Sequence, residues 1–191
     1  MFKLKQSNPA LDYLTLAGAE YEGENYEKAI YYLHRALHYN RDYAEALTLL
    51  GSIYKRMGKL DQAISYFKNA MNSDPKQPEP YLNLGNIYAE MGDLDMARKY
   101  YNKAIEHDPY SARAYNNLGN IYFSYGNFNR ALYYYKKASK LEPNYPSPLY
   151  HMGFIYLKLG DTQKAELLWK KVLDIEPDYE DARRALKKFI R

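Results

Sequence analysis

Apolar side chains in residues 112–145 (ARAYNNLGNIYFSYGNFNRALYYYKKASKLEPNY) fall into two stripes. Tyr115, Leu118, Ile121 and Tyr122 keep the three-and-four spacing of one helix face, and Phe128, Ala131, Leu132, Tyr135 and Ala138 form a second such face. Gly126-Asn127 separates the two, because glycine accepts the positive φ at which a helix ends. Pro143 stops the second helix and stiffens the link that follows. Helices of about a dozen residues are marginal alone in water, and neither can bury its stripe unaided.

The pattern recurs. Glycines stand at one constant interval at Gly51, Gly85, Gly119 and Gly153, and again at Gly58, Gly92, Gly126 and Gly160. Ala63, Ala97, Ala131 and Ala165 keep the same interval, as do Pro75, Pro109, Pro143 and Pro177, and Tyr54, Tyr88, Tyr122 and Tyr156. The repeat borders are 44–77, 78–111, 112–145 and 146–179, with an irregular first copy at 10–43 in which Ala17 replaces the glycine and Arg41 the proline. Residues 1–9 form an N-terminal extension, and residues 180–191 match only the start of a further copy. Irregular end copies are expected where one side has no neighbour, and stacking of copies supplies the cover each helix pair lacks. Gly119 and Ala131 are expected to face each other so that the two backbones approach closely, with Tyr135 filling space against the next copy.

A unit of this length with the order large–Leu-Gly–Tyr–Gly–Ala–aromatic–Ala–Pro resembles the tetratricopeptide repeat. In the third copy it reads Tyr81, Leu84, Gly85, Tyr88, Gly92, Ala97, Tyr101, Ala104, Pro109. In the last copy Met152, Trp169 and Val172 stand in place of the leucine, the usual aromatic and the second small residue. Pentatricopeptide repeats lack this Leu-Gly and Gly–Ala spacing. The resemblance implies an all-α fold: a right-handed superhelix (α-α solenoid) of about five helix pairs, the first helix of each pair lining a concave groove and the second forming the convex back. It also implies a C-terminal capping helix over 180–191, with Leu186 and Ile190 inward and Arg183, Arg184, Lys187, Lys188 and Arg191 toward water, where cations suit a helix C-terminus.

On this reading the candidate peptide-binding residues are Asn83, Asn86, Arg113, Asn116, Asn117, Asn120 and His151, all on first helices. Asparagine is only a fair helix former, and its amide offers both donors and an acceptor. A row of amides can pair with the C=O and N–H groups of an extended peptide, as asparagine ladders do in some members of the family. The competing reading is that asparagine is simply tolerated there. The family's carboxylate clamp for acidic chain ends is incomplete: Asn86 and Asn117 match, but Leu82, Ser147 and His151 stand where cations are needed. In the frame one copy earlier, Thr48 and Ser52 fail while Asn83 and Arg113 match. A weaker anion contact by Arg113 with His151 is the remaining possibility.

Composition narrows the function further. The 191 residues include 24 Tyr, an excess that indicates one amphipathic slot reused many times. In the run Tyr133-Tyr134-Tyr135 only Tyr135 stands at the packing position, so other rings are expected near the convex surface, as flanking contacts or as a self-association face. Net charge is +4 and alternates in sign between copies, so no concentrated basic face for nucleic acid emerges. Cysteine is absent, which excludes disulfides, thiolate metal sites and thiol catalysis. No stretch is apolar enough for a membrane span, and Asp12 and Glu20 interrupt what would be a signal peptide, so a cytoplasmic chain is expected.

Catalytic signatures are missing as well. His34 and His38 share a helix face, but no third metal ligand accompanies them. Asp93 and Asp95 sit between helices as caps, and there is no phosphate loop, nucleophile elbow or HExxH. The expectation is a non-catalytic scaffold, monomeric and without cofactor or metal, that binds a peptide or helix of another protein. The alternatives are a recognition module of a larger enzyme or assembly machine, or a self-assembling repeat protein.

Overall fold

The structure, a computed structural model, describes residues 8–189. Residues 1–7 of the expected extension, together with Ile190 and Arg191, lie outside the described residues. The described residues form eleven helices and no strand: α1 (Pro9–Glu22), α2 (Tyr26–Tyr39), α3 (Ala44–Arg56), α4 (Leu60–Ser73), α5 (Pro78–Glu90), α6 (Leu94–His107), α7 (Ala112–Ser124), α8 (Phe128–Leu141), α9 (Pro146–Lys158), α10 (Thr162–Ile175) and α11 (Glu180–Phe189). The fold is all-α, and consecutive helices pack as pairs. The chain divides into two compact units, one up to Lys103 and one from Ala104.

Local chemistry sets the helix ends. Asn8, Asp93, Asn127 and Asp161 each accept a hydrogen bond from the backbone N–H three residues on, which satisfies one of the donors a helix start leaves unpaired. Asp95, expected as a second cap, instead pairs with Arg98 at 3.1 Å within the first turn of α6. After the first helix of a pair the chain turns through a left-handed residue: Gly58 at φ 73°, Gly126 at φ 70° and, in the first copy, Glu24 at φ 58°. That conformation suits glycine and strains a side chain.

In the N-terminal unit the buried core runs through Ala29, Leu33 and Ala36 of α2, Leu50 and Ile53 of α3, Ala63, Phe67 and Ala70 of α4, and Leu84 and Ile87 of α5. Leu16 holds in the first copy the place that Leu50 holds in the second, yet it is 46% exposed where Leu50 and Leu84 are fully buried. Among the described residues no helix precedes α1 to cover it. In the C-terminal unit Tyr135 of α8 and Trp169 of α10 occupy the same core position as Phe67, and Ala182 and Ala185 of α11 close over Trp169, Val172 and Leu149. Leu186 packs on that cluster from its edge, as expected of a capping helix.

The glycines of the first helices make room for the core rings. At Gly119 the ring of Tyr135 lies across the glycine, and a Cβ there would stand 2.5 Å from two of the ring carbons. Gly85 and Tyr101 repeat this at 2.5 Å, Gly51 and Phe67 at 2.7 Å, and Gly153 is covered in the same way by Trp169. The aromatic therefore fills space over the first helix of its own pair, because a glycine leaves a flat slot there. Tyr135 also meets the next copy by stacking on His151, at 5.5 Å and 13°.

Six further tyrosines go into parallel ring stacks within pairs: Tyr54 on Tyr66 at 5.2 Å, Tyr88 on Tyr100 at 5.4 Å and Tyr122 on Tyr134 at 5.3 Å. Tyr134 is thus inside its own pair rather than on the surface, whereas Tyr133 is 55% exposed.

Candidate functional site

On a helix, residues three and four apart share a face. In α7 that face carries Arg113, Asn117 and Asn120; in α5 it carries Asn83 and Asn86. The buried glycine slot positions the two matched amides. Because the Tyr135 ring lies flat on Gly119, its hydroxyl reaches the next residue and donates to Asn120 Oδ1 at 2.8 Å. The Tyr101 hydroxyl donates to Asn86 Oδ1 at 2.9 Å in the same way.

The oxygen of each amide is therefore engaged inside the protein, which fixes the rotation of the group. Among the described residues no hydrogen bond engages the NH₂ of Asn120, and that group is held as a donor. The sequence carried a signal for this pairing. Asn86 and Asn120 occur in the two copies whose core aromatic is tyrosine, and Ser52 and Phe154 replace them where it is Phe67 or Trp169. Trp169 instead donates its Nε1 to the Tyr150 carbonyl at 3.0 Å.

The other expected site residues separate. Asn117 is half-buried beside Asn120 on the same face, and its Oδ1 accepts from Asn116 Nδ2 at 3.4 Å. Asn116 itself is corrected: it is 3% exposed and accepts from the Ser147 hydroxyl at 3.3 Å, so it ties α7 to α9 rather than facing outward. One residue along a helix is a rotation of about 100°, enough to turn a neighbouring side chain from surface to core. Asn83, half-buried, donates back to the Glu79 carbonyl of its own helix at 3.1 Å. Arg113 is exposed.

His151 is packed among rings: stacked on Tyr135, edge-on to Tyr150 at 5.3 Å and tilted to Phe123 at 6.1 Å. Burial holds its imidazole below the ordinary histidine pKa, so it is neutral at pH 7. Burial also pushes the Tyr135 phenol well above its usual pKa.

No group of three His, Asp or Glu able to hold a metal occurs among the described residues, and none of their helices is long and apolar enough to cross a membrane. His34 and His38 are both exposed on α2.

Sequence reasoning missed one feature. Tyr150 and Phe154 of α9 stand one repeat after Asn116 and Asn120, so the matched positions change from amides to rings. With Arg184, Lys188 and Phe189 of α11 they line a cavity of about 310 Å³. The signal was the break in register itself.

Comparisons with known proteins agree with this architecture. The family model described as the tetratricopeptide repeat protein 21 C-terminal ARM domain matches residues 76–188, more than half of the chain, and the tetratricopeptide repeat model matches residues 42–109. No curated protein matches the sequence. Among solved structures the chain is similar to YrrB, described as a TPR protein with an unusual peptide-binding site, with TM-score 0.69 and 22% identity over 93% of this chain and 92% of that one. It is similar to MamA from Desulfovibrio magneticus RS-1, with TM-score 0.73 and 20% identity over 91% and 98%. A thermophilic TPR protein of Thermus thermophilus superposes with TM-score 0.72 and 23% identity over 95% and 98%. At these identities the structural likeness establishes the fold. With the family model spanning most of α5 to α11, the chain belongs to the tetratricopeptide repeat family.

Proposed function

We propose that the protein is a non-catalytic scaffold that holds a peptide or helix of a partner protein along its first helices, with side-chain amides pairing with the partner's backbone. The observation that carries this reading is the fixed amide of Asn120, whose acceptor is bound to Tyr135 and whose NH₂ is held as a donor on the same face as Asn117 and Arg113. A donor so oriented suits a peptide C=O and asks little of the peptide's sequence. Asn86 repeats the bond from a core tyrosine hydroxyl to its Oδ1 in the N-terminal unit, with Asn83 on the same face. The peptide-binding site named for YrrB supports the reading by analogy of fold. The proposed working form is a cytoplasmic monomer.

The experiment is affinity capture with the wild-type chain beside an Asn117→Ala, Asn120→Ala, Tyr135→Phe variant. The third change removes the hydroxyl that the loss of Asn120 would orphan, so the variant tests binding rather than folding. Partners recovered by the wild type and lost by the variant are expected. Equal recovery of the same proteins overturns the reading.

A further inference from the structure

We propose that the cleft between the α7–α8 turn and the C-terminal end of α9 is a docking site for an acidic segment of a partner chain, which sets an apolar side chain between Tyr125 and Leu159 and a carboxylate against Lys158. The proposal rests on the scaffold reading above and names the chemistry of the partner at a second place on the C-terminal unit. Three observations carry it.

The first is shape. Tyr125, Gly126, Asn127, Phe128, Asn129 and Leu159 line a cleft of about 470 Å³, within the range of ligand pockets, roughly 300–1,000 Å³. Tyr125 is 48% exposed and Leu159 57%, so two large apolar side chains border the cleft from neighbouring copies and are left in water. Phe128 is held from beneath its own turn by Phe123, with ring centroids 5.8 Å apart.

The second is a change between copies. In the N-terminal unit the matched positions are bridged by an ion pair: Lys55 Nζ lies 2.8 Å from Glu90 Oε1 and joins α3 to α5. Two repeats on, Phe123 stands at the position of Lys55 and Lys158 at that of Glu90. Ring and cation replace the bridge. Lys158 is exposed, has no ion pair among the described residues, and holds its Nζ 5.9 Å from the Phe128 ring centroid. The carboxylate that closes this corner in one unit is missing in the other, and Lys158 is the group placed to receive one.

The third is charge. From Tyr110 to Gly160 the single acid is Glu142, against Arg113, Arg130, Lys136, Lys137, Lys140 and Lys158. Glu142 caps the far end of α8, about 20 Å from Phe128 at 1.5 Å per residue. Arg130 lies over the Tyr122 ring at 5.3 Å and has no ion pair among the described residues. Asp161, the next acid along the chain, caps α10 and pairs with Lys164 at 3.5 Å, so it is balanced where it stands. The border of the cleft is therefore cationic, and leucine or phenylalanine beside glutamate complements wall and border together. A nucleic acid strand asks instead for successive stacking rings along a basic track, which Leu159 and the asparagines do not supply.

The probe is the peptide Gly-Ser-Glu-Leu-Glu-Ser-Gly with both ends blocked. It is titrated into the full chain while the backbone amide resonances of Gly126, Asn129 and Gly160 are followed, with Gly58 and Gly92 reporting the matched turns of the N-terminal unit. Saturable shifts of the first set are expected, with Gly58 and Gly92 unmoved. Affinity is expected to fall about tenfold or more when the probe's leucine becomes serine or its glutamates become glutamines.

Two variants test the location. Lys158→Glu installs the residue already present at position 90, and Leu159→Ser likewise changes an exposed side chain, so both are expected to fold. Each is expected to weaken the probe about tenfold or more, whereas Asn117→Ala is expected to leave it unchanged. No saturable shift at millimolar probe overturns the proposal, and so do equal shifts at Gly58 and Gly92 or binding that both variants leave intact. An oligouridine strand that moves the same signals at lower concentration than the peptide assigns the cleft to nucleic acid and also overturns it. If partner capture depends on Asn117 and Asn120 but not on Lys158 or Leu159, and the probe does not bind, the scaffold reading stands and the cleft proposal falls.

Discussion

Substituting Gly119 by alanine adds one methyl group where the Tyr135 ring already lies. That Cβ would stand 2.5 Å from two ring carbons, whereas carbon atoms rest comfortably at about 3.5–4.0 Å, so a gap of about 1 Å must open. Tyr135 cannot easily retreat, because its hydroxyl is bound to Asn120 at 2.8 Å and its ring is stacked on His151 at 5.5 Å. Overpacking of this kind costs about 1–3 kcal/mol, against a helix-propensity gain of about 1 kcal/mol for replacing glycine. The net expectation is a loss of up to about 2 kcal/mol, which for a chain of this size lowers the melting midpoint by up to roughly 8 °C. Gly18 supplies the control. It lies in α1 with nothing within 4 Å of its added Cβ, so Gly18→Ala is expected to raise stability by about 0.5–1 kcal/mol. The assay is thermal melting followed by far-UV circular dichroism, with Gly119→Ala repeated in a Tyr135→Leu background, where its cost should largely vanish. A Gly119→Ala protein that melts at or above the wild type would refute the proposed fit of ring on glycine.

Other consequences follow from the same contacts. Asn120→Ala orphans the Tyr135 hydroxyl and is expected to cost about 1–3 kcal/mol in urea unfolding, most of it recovered when Tyr135→Phe is added. His151 has a lowered folded pKa, so the unfolded chain binds its proton first. Stability from this group is complete above about pH 6.5, the unfolded value, and is lost as pH falls from there toward the folded pKa; His151→Gln should remove that part of the pH dependence of melting. Glu24→Gly relieves a side chain held at φ 58° and is expected to gain about 0.5–1 kcal/mol, read as a rise in melting midpoint. Deleting residues 180–191 uncovers the Trp169 cluster, with an expected loss on the order of 3 kcal/mol and a red shift of Trp169 emission.

The helix pairs were legible in the sequence because one contact pattern recurs at a fixed interval, and a stripe of apolar residues on one helix can be read without knowing its partner. What faces what across a pair could not be read in that way. Gly119 and Ala131 are both small and both on inner stripes, but spacing alone does not tell that the glycine slot takes the flat ring of Tyr135. The asparagine face was legible as a row, but Asn116 and Asn117 look alike in a string and differ in burial through a single helical step. The tie between Asn120 and Tyr135 was visible as a joint change between copies, yet it becomes meaningful only once the hydroxyl is seen to pass over the glycine. Phe154 and Lys188 lie on helices separated by α10, so their shared cavity required coordinates.

The central claim is that the amides of α7 donate to a partner's backbone. It is tested most directly by recording the side-chain NH₂ resonances of Asn117 and Asn120 in the full chain before and after adding a captured partner segment. The account predicts saturable shifts of both signals, with the Tyr135 hydroxyl still bonded to Asn120. Signals that stay in place while the exposed Lys136 and Lys137 of α8 respond to the same addition would contradict it.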